Sequence, residues 1–372
     1  MTAPDMAAGA AAPQHQQRTV PVNFSGRNVE YLKLWLVNLL LSIITLGIYS
    51  AWAKVRNNQY LYGHTQIEGH RFHYLAKPMQ ILRGRLIAVI FFVMFTFLSN
   101  LNPAFGGLMM LLLLVLMPWL IVQGLKFTLR NSAYRGVRFS FEGSYLGVLA
   151  YMMLMPVIGV LTLGLAMPWV AQQMQKYLYE HATYGGRHFS LPTSAGEYYK
   201  ATLLCIGIVF FAIVAAIIAV SALGLTAILA AGSDPEAMSS SIGEYGILLF
   251  IAAYIAVIAL YMFLIYLVSA VYQGMIRNHI FNCLNTDGIF KTHSDIRLLP
   301  FTGMMLSNAL IILFTLGLGY PITRIRKQRF LAAATSVTLE PAIDHLVNTV
   351  EATHSAFGEE AAGLFDLDLS LT

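Results

Sequence analysis

The sequence predicts an all-α polytopic membrane protein carrying small cytoplasmic β-hairpins. Three observations lead there: 57% of the 372 residues are hydrophobic and only 11% charged, apolar runs of bilayer-crossing length recur along the chain, and basic residues gather between those runs. A soluble domain carries roughly 25% charged residues, so an ordinary water-soluble fold is excluded. The net charge of +5 does not point to nucleic acid, because no Lys/Arg-rich run sits within a soluble unit. Cys205 lies in an apolar run and Cys283 in a polar one, which argues against a disulfide framework.

Residues 1–20, rich in Ala, Pro and Gln, lack the cationic start and continuous apolar core of a secretory signal and read as a disordered tail. Seven apolar segments follow, at about 31–49, 86–101, 107–125, 145–170, 201–230, 246–273 and 301–322. Each is near the ~20 residues that cross a ~30 Å hydrocarbon core as a helix. The connections from Ser99 to Gly106 and from Ala231 to Tyr245 hold no Lys or Arg, and all 23 basic residues fall elsewhere. Cytoplasmic loops collect Lys and Arg, so those two connections read as external and the rest as cytoplasmic. Segments 31–49, 145–170 and 301–322 would then have basic flanks on one side at both ends, which a single crossing cannot give. We read these three as re-entrant helical hairpins and the other four segments as two spanning helix pairs, with both termini cytoplasmic; seven plain crossings are the alternative. A turn at membrane depth must have its backbone groups satisfied by protein, so the re-entrant tips should pack on the spans.

The three segments also resemble one another. A gap-free shift of 117 residues, setting Phe24 on Phe141, matches 13 of the 49 positions from Phe24 to Phe72, including Thr45-Leu46-Gly47 on Thr162-Leu163-Gly164 and Trp52 on Trp169. A weaker third copy sets Asn38 on Asn308, Thr45-Leu46-Gly47 on Thr315-Leu316-Gly317 and Arg56 on Arg326. Duplication is the expected origin. Gly47, Gly164 and Gly317 suit a left-handed residue just past a helix end, giving helix, Thr-Leu-Gly turn, helix. The second helices mix aromatic and basic residues, and Trp52, Lys54, Arg56, Trp169, Arg324 and Arg326 are the expected interface anchors.

Short alternating stretches with Gly turns lie at 64–74, 132–141, 181–191 and 283–293, and four such hairpins on one face could share a small sheet. The expected organisation is therefore the tail (1–20), repeat 1 with its β-hairpin (21–84), a spanning pair (85–129), repeat 2 with β-hairpins (130–200), a second spanning pair (201–276), a β-hairpin with repeat 3 (277–339), and an acidic cytoplasmic tail with a short amphipathic stretch (340–372).

The unit F-x-G, an apolar run, T-L-G-I-Y-x-x-W, a basic Tyr-rich helix and G-x-R-F, as in Phe24 to Phe72, resembles the YjgN family of bacterial inner-membrane proteins. The likeness covers about residues 22–335, including Arg277-Asn278, while the third copy lacks the Trp and a second hairpin strand. The resemblance implies location and architecture; the family is a domain of unknown function and supplies no catalytic residues.

No catalytic, cofactor or metal site is expected. The histidines beside the hairpins show no converging ligand set, the spanning segments hold no ionisable group of the kind coupled transporters keep at depth, and no Walker, H-E-x-x-H, C-x-x-C or G-x-S-x-G motif occurs. The polar groups inside the re-entrant segments, Asn38, Thr45, Thr162, Asn308 and Thr315, are candidates for a polar path. The sequence thus suggests permeation or transport of an unidentified small molecule or lipid. The alternative is a non-transport lipid-binding or scaffold protein, with a membrane enzyme third. The expected partner is the phospholipid bilayer, including anionic lipids at the basic helices.

Overall fold

The computed structural model describes residues 17–286, 288–341 and 343, except 232–234, with the backbone alone over 223–231, 235–247, 249 and 250. Four long helices are apolar enough to cross a membrane: α3 (Pro78–Leu101), α4 (Pro103–Arg130), α7 (Ala195–Ala231) and α8 (Pro235–Cys283). They leave their greasy side chains uncovered; Phe92, Leu111 and Phe211 are exposed over most of their surface, as lipid contact requires. Helix is the natural state of such segments, because in hydrocarbon every backbone N–H and C=O must find its partner within the segment.

Three shorter helix pairs alternate with the long ones. They are α1–α2 (Asn28–Ile44, Ser50–Gly63), α5–α6 (Tyr145–Leu161, with a π-helical stretch at Leu149–Leu154, then Met167–Glu180) and α9–α10 (Leu298–Phe314, Tyr320–Ala333). Each returning helix runs straight into a strand. Thus α2, α4, α6, α8 and α10 lead into β2 (Thr65–Ile67), β4 (Ser132–Tyr134), β6 (Ala182–Tyr184), β8 (Asn285–Thr286) and β10 (Thr335–Leu339). The chain leaves again through β3 (His70–Tyr74), β5 (Val137–Phe141), β7 (Arg187–His188) and β9 (Phe290–Ser294).

Tight turns join these strand pairs. Glu68-Gly69, Arg135-Gly136 and Gly185-Gly186 all take positive φ at both central residues, the mirror-image geometry whose twist matches a two-residue hairpin. Gly288 is also left-handed, while its neighbour Asp287 lies outside the described residues.

The hairpins share one sheet, and it is larger than the small one the sequence suggested. Ten antiparallel strands run in the order β7-β6-β5-β4-β3-β2-β1-β10-β9-β8. A backbone pair between Ser190 and Asn285, at 2.8 and 3.1 Å, brings the two edges together and nearly closes a barrel. Near-closure removes the exposed strand edges that invite aggregation. The strand after α10 finds its partner in β1 (Arg18–Phe24), which pairs with β10 from Arg18↔Leu339 to Pro21↔Ser336 and so completes a fifth strand pair. β1 begins inside the stretch expected to be tail, because RTVPVNF carries a Pro and its partner lies at the far end of the chain. Residues 1–16, and the amphipathic stretch expected after Ile343, lie outside the described residues.

Candidate functional site

The main core lies where the helix ends meet the barrel, and it is not solid. A cavity of about 530 Å³ occupies the barrel interior and extends up between α4, α6, α8 and α10, within the size range of ligand pockets. An aromatic wall runs along the barrel side. Phe72 lies 4.9 Å from Tyr134, Tyr184 lies 4.9 Å from Phe139, and Phe189 lies 5.6 Å from Phe290, centroid to centroid. Inward-facing residues alternate along each strand, so five adjacent pairs each present an aromatic or aliphatic side chain to the same space. The tyrosine hydroxyls do not open into the chamber unpaired. Tyr134 donates to the Ile67 carbonyl and Tyr184 to the Tyr134 carbonyl, both at 3.0 Å, joining successive hairpins at equivalent places. Burial holds the Tyr184 phenol well above its ordinary pKa, so it stays a neutral donor.

Cations line the helix side of the chamber. Arg277 on α8 donates from Nη2 to Thr335 Oγ1 on β10 at 3.1 Å, and its guanidinium carbon lies 4.0 Å from the Phe281 centroid. Its Nε and Nη1 are buried without a hydrogen-bond partner. Lys327 on α10 lines the same cavity, with its amine held below the ordinary lysine value by burial and by the nearby charges of Arg324 and Arg277. Tyr179 on α6 completes the group; burial raises its phenol to about 12, partly offset by Arg277. The neighbouring Asn278 turns the other way. Its side chain accepts from Ser294 Oγ and the Ile296 N–H and donates to the Ile296 carbonyl, at 2.8 to 2.9 Å, fixing the exit of β9.

Of the residues singled out from the sequence, the Thr-Leu-Gly turns lie at the far ends of the short hairpins and the others along their helices. In each Thr-Leu-Gly turn the glycine takes φ of 92, 87 or 89°, at Gly47, Gly164 and Gly317. Each glycine N–H donates to the carbonyl five residues back, on Ser42, Gly159 and Ile312, at 2.7 to 2.9 Å. This is the closing bond of a helix-ending left-handed turn. The threonine hydroxyls tie the same turns. Thr45, Thr162 and Thr315 donate to Leu41, Gly159 and Ile311 and accept the N–H of Tyr49, Ala166 and Gly319. The leucines between them, Leu46, Leu163 and Leu316, are 94, 93 and 92% exposed.

Asn38 and Asn308 are both buried and bond within their own hairpins, Asn38 to Asn57 Oδ1 at 3.1 Å and Asn308 to the Thr323 carbonyl at 3.5 Å. Of the anchors, Trp52 stacks on Tyr49, and Arg56 donates to the Tyr49 hydroxyl at 2.6 Å. Arg324 reaches Tyr320 and Arg326 reaches Ser307. Lys54 and Trp169 are half-buried on α2 and α6. None of these residues lines the chamber.

The family model described as "Bacterial protein of unknown function (DUF898)" matches residues 19–364. The chain belongs to this family. It is similar to the protein named Inner membrane protein YjgN of Escherichia coli strain K12, 35% identical over 147 residues covering 38% of this chain and 36% of that one. The Escherichia coli O157:H7 protein of the same name is 34% identical over 142 residues, covering 38% and 36%. That of Salmonella typhimurium is 31% identical over 136 residues, covering 36% and 34%. The chain thus matches about a third of the length of these relatives. No solved structure matches significantly.

In this DUF898 chain the F-x-G motif has a steric reason. A Cβ on Gly26 would sit 2.5 Å from the Phe24 ring, and one on Gly143 would sit 2.4 Å from Phe141. The repeated tyrosines do a matching job: Tyr60 accepts the Arg27 N–H at 2.9 Å and Tyr177 the Ser144 N–H at 3.1 Å, pinning the first helix of each pair to the second. Sequence reasoning missed the chamber itself. Arg277 stood out only as half of a dipeptide, and Lys327 only as one of several basic residues. The readable signal was the aromatic residue recurring beside each Gly turn, at Phe72, Tyr134, Phe139, Tyr184 and Phe189. Among the described residues no group of three His, Cys, Asp or Glu side chains is placed to hold a metal ion.

Proposed function

We propose that this chain is a multi-pass inner-membrane protein whose barrel and termini face the cytoplasm, and that it binds a lipid in the barrel chamber. Its similarity to proteins named as inner-membrane proteins supports the location. The distribution of Lys and Arg, all on the barrel side of the four long helices, supports the orientation.

The short hairpins are read as re-entrant repeats of one ancestral unit. At 1.5 Å per residue α1 is about 25 Å long, whereas α3 and α4 reach about 36 and 42 Å, so a tip rising beside them stops short of their far ends. The tip leucines are almost wholly exposed, so they do not pack on the spans, contrary to the expectation from the sequence. A hydrocarbon surround suits those leucines, and the threonine and glycine bonds within each turn satisfy its backbone instead. The basic and aromatic residues of α2 and α10 then hold anionic headgroups at the interface.

The observation that carries the lipid-binding reading is the aromatic-walled chamber directly below the membrane-side helices. A polar path through Asn38 and Asn308 has less support, since both amides are buried and donate within their own hairpins, although each Oδ1 lacks a partner among the described residues. Native mass spectrometry of the purified full chain tests this reading, with flux assays in proteoliposomes beside it. The expected result is a lipid retained at one per chain and no solute flux above protein-free vesicles. Solute flux with no retained lipid would overturn it in favour of permeation.

A further inference from the structure

We infer that the chamber's ligand is an anionic amphiphile with one acyl chain, its carboxylate or phosphate seated between Arg277 and Lys327 and its chain lying along the aromatic wall. This rests on reading the chamber as a lipid site and adds the chemical class of the lipid and its direction.

Charge carries the argument. Two cationic side chains, from α8 and α10, face one cavity whose lining is otherwise mainly apolar. Neither forms an ion pair among the described residues, and the barrel's glutamates are engaged elsewhere: Glu68 with Arg18 and Arg135, Glu142 with His188, Glu340 with Lys291. Adjacent cations with no counter-charge among the described residues repel each other and lose hydration, an arrangement that packing alone would not favour over Leu or Met. Arg277 makes one hydrogen bond and leaves Nε and Nη1 unpartnered in a buried setting, where an unmade bond is costly. An oxyanion supplies what both groups lack, a negative charge and acceptor oxygens for charge-assisted bonds.

Geometry sets the direction. Arg277 and Lys327 lie at the helix side of the cavity, with Gln273 and Gln328 lining it beside them, while Tyr134, Tyr184 and Phe290 line the barrel side. The head therefore sits nearest the level of the membrane surface and the chain points into the barrel. The volume of about 530 Å³ is in the lower half of the range for drug-sized ligands, which fits one chain.

The test uses the full chain in nanodiscs of phosphatidylcholine, titrated with oleate, oleyl alcohol, lysophosphatidate and inorganic phosphate and read by native mass spectrometry. Oleate or lysophosphatidate should bind at least about tenfold more tightly than oleyl alcohol, and the stronger of the two identifies the head as carboxylate or phosphate. Arg277→Gln and Lys327→Gln should each weaken anion binding by about tenfold and leave oleyl alcohol unchanged, whereas Arg277→Lys, which keeps the charge but loses the Nε and Nη1 donors, should fall between wild type and Arg277→Gln. A melting temperature for ligand-free Lys327→Gln no lower than that of the unaltered chain keeps the comparison valid if Arg277→Gln folds poorly. Equal binding of oleate and oleyl alcohol, insensitive to both substitutions, would overturn the anion site and leave the chamber reading intact. Binding of none of the amphiphiles would overturn both. Inorganic phosphate binding with the same dependence on Arg277, without any amphiphile, would show a free-anion site and overturn the proposed chain.

Discussion

Tyr184 donates its hydroxyl hydrogen to the backbone carbonyl of Tyr134 across 3.0 Å, and Tyr134 does the same to Ile67. Each bond links one hairpin of the barrel to the next at the residue before the turn. These links are not part of the strand ladder, so they add stiffness where the strands are only two to five residues long.

Removing one link should be felt in stability. Tyr184→Phe keeps the ring and its packing on Phe139 but deletes the donor, leaving the Tyr134 carbonyl without that bond. The expected loss is about 1–3 kcal/mol, measured as a lower melting temperature of the purified protein. Tyr134→Phe should behave alike.

Glycine substitutions should separate two mechanisms. At Gly26 and Gly143 a Cβ meets an aromatic ring within 2.5 Å, so Ala should displace Phe24 or Phe141 and lower stability through packing. At Gly47 nothing lies within 4 Å of the Cβ position, but φ is 92°. Gly47→Ala should therefore cost about 1 kcal/mol through backbone strain alone, and Gly47→Asn less, because Asn tolerates the left-handed region better. Thermal unfolding of the three Ala variants and Gly47→Asn checks the ranking.

The proposed re-entrant arrangement of the short hairpins predicts a labelling pattern. In a background without Cys205 and Cys283, single cysteines at Trp52, Trp169 and Ile322 should stay unlabelled by a membrane-impermeant maleimide added from the periplasm. A cysteine at Asn102, between α3 and α4, should be labelled. Labelling at the first three positions would show that the short hairpins cross the membrane.

Lys327 gives the chamber a pH dependence. Burial and the adjacent Arg324 and Arg277 charges lower its pKa from the ordinary 10.5. Between that lowered value and 10.5 the unfolded chain binds more protons than the folded one, so the ligand-free protein should gain stability as pH rises through this window. Lys327→Met should flatten that slope. Anion binding should move oppositely, weakening as the lysine loses its proton. Unfolding midpoints and oleate affinity measured over the same pH series check both signs.

The helices were legible because hydrocarbon imposes one rule on many consecutive residues: α3, α4, α7 and α8 are long apolar runs with cations at one end. The turns were legible because Gly47, Gly164 and Gly317 must adopt a conformation that few other residues accept. The barrel was less so. Strands such as Asn285–Thr286 and Arg187–His188 are too short to show alternation, and β1 meets β10 only through the folded chain. The chamber was least legible, since Arg277, Lys327 and Tyr184 become neighbours of one cavity through three separate helix and strand pairs.

The pairing of β1 with β10 makes barrel closure a late event in synthesis. β1 precedes α1–α10 in the chain and β10 follows them, so the two can pair only after every helix between them has been made. A chain cut before Thr335 would carry its four long helices yet leave β1 and β9 without the strand that lies between them, so the chamber wall would stand open there.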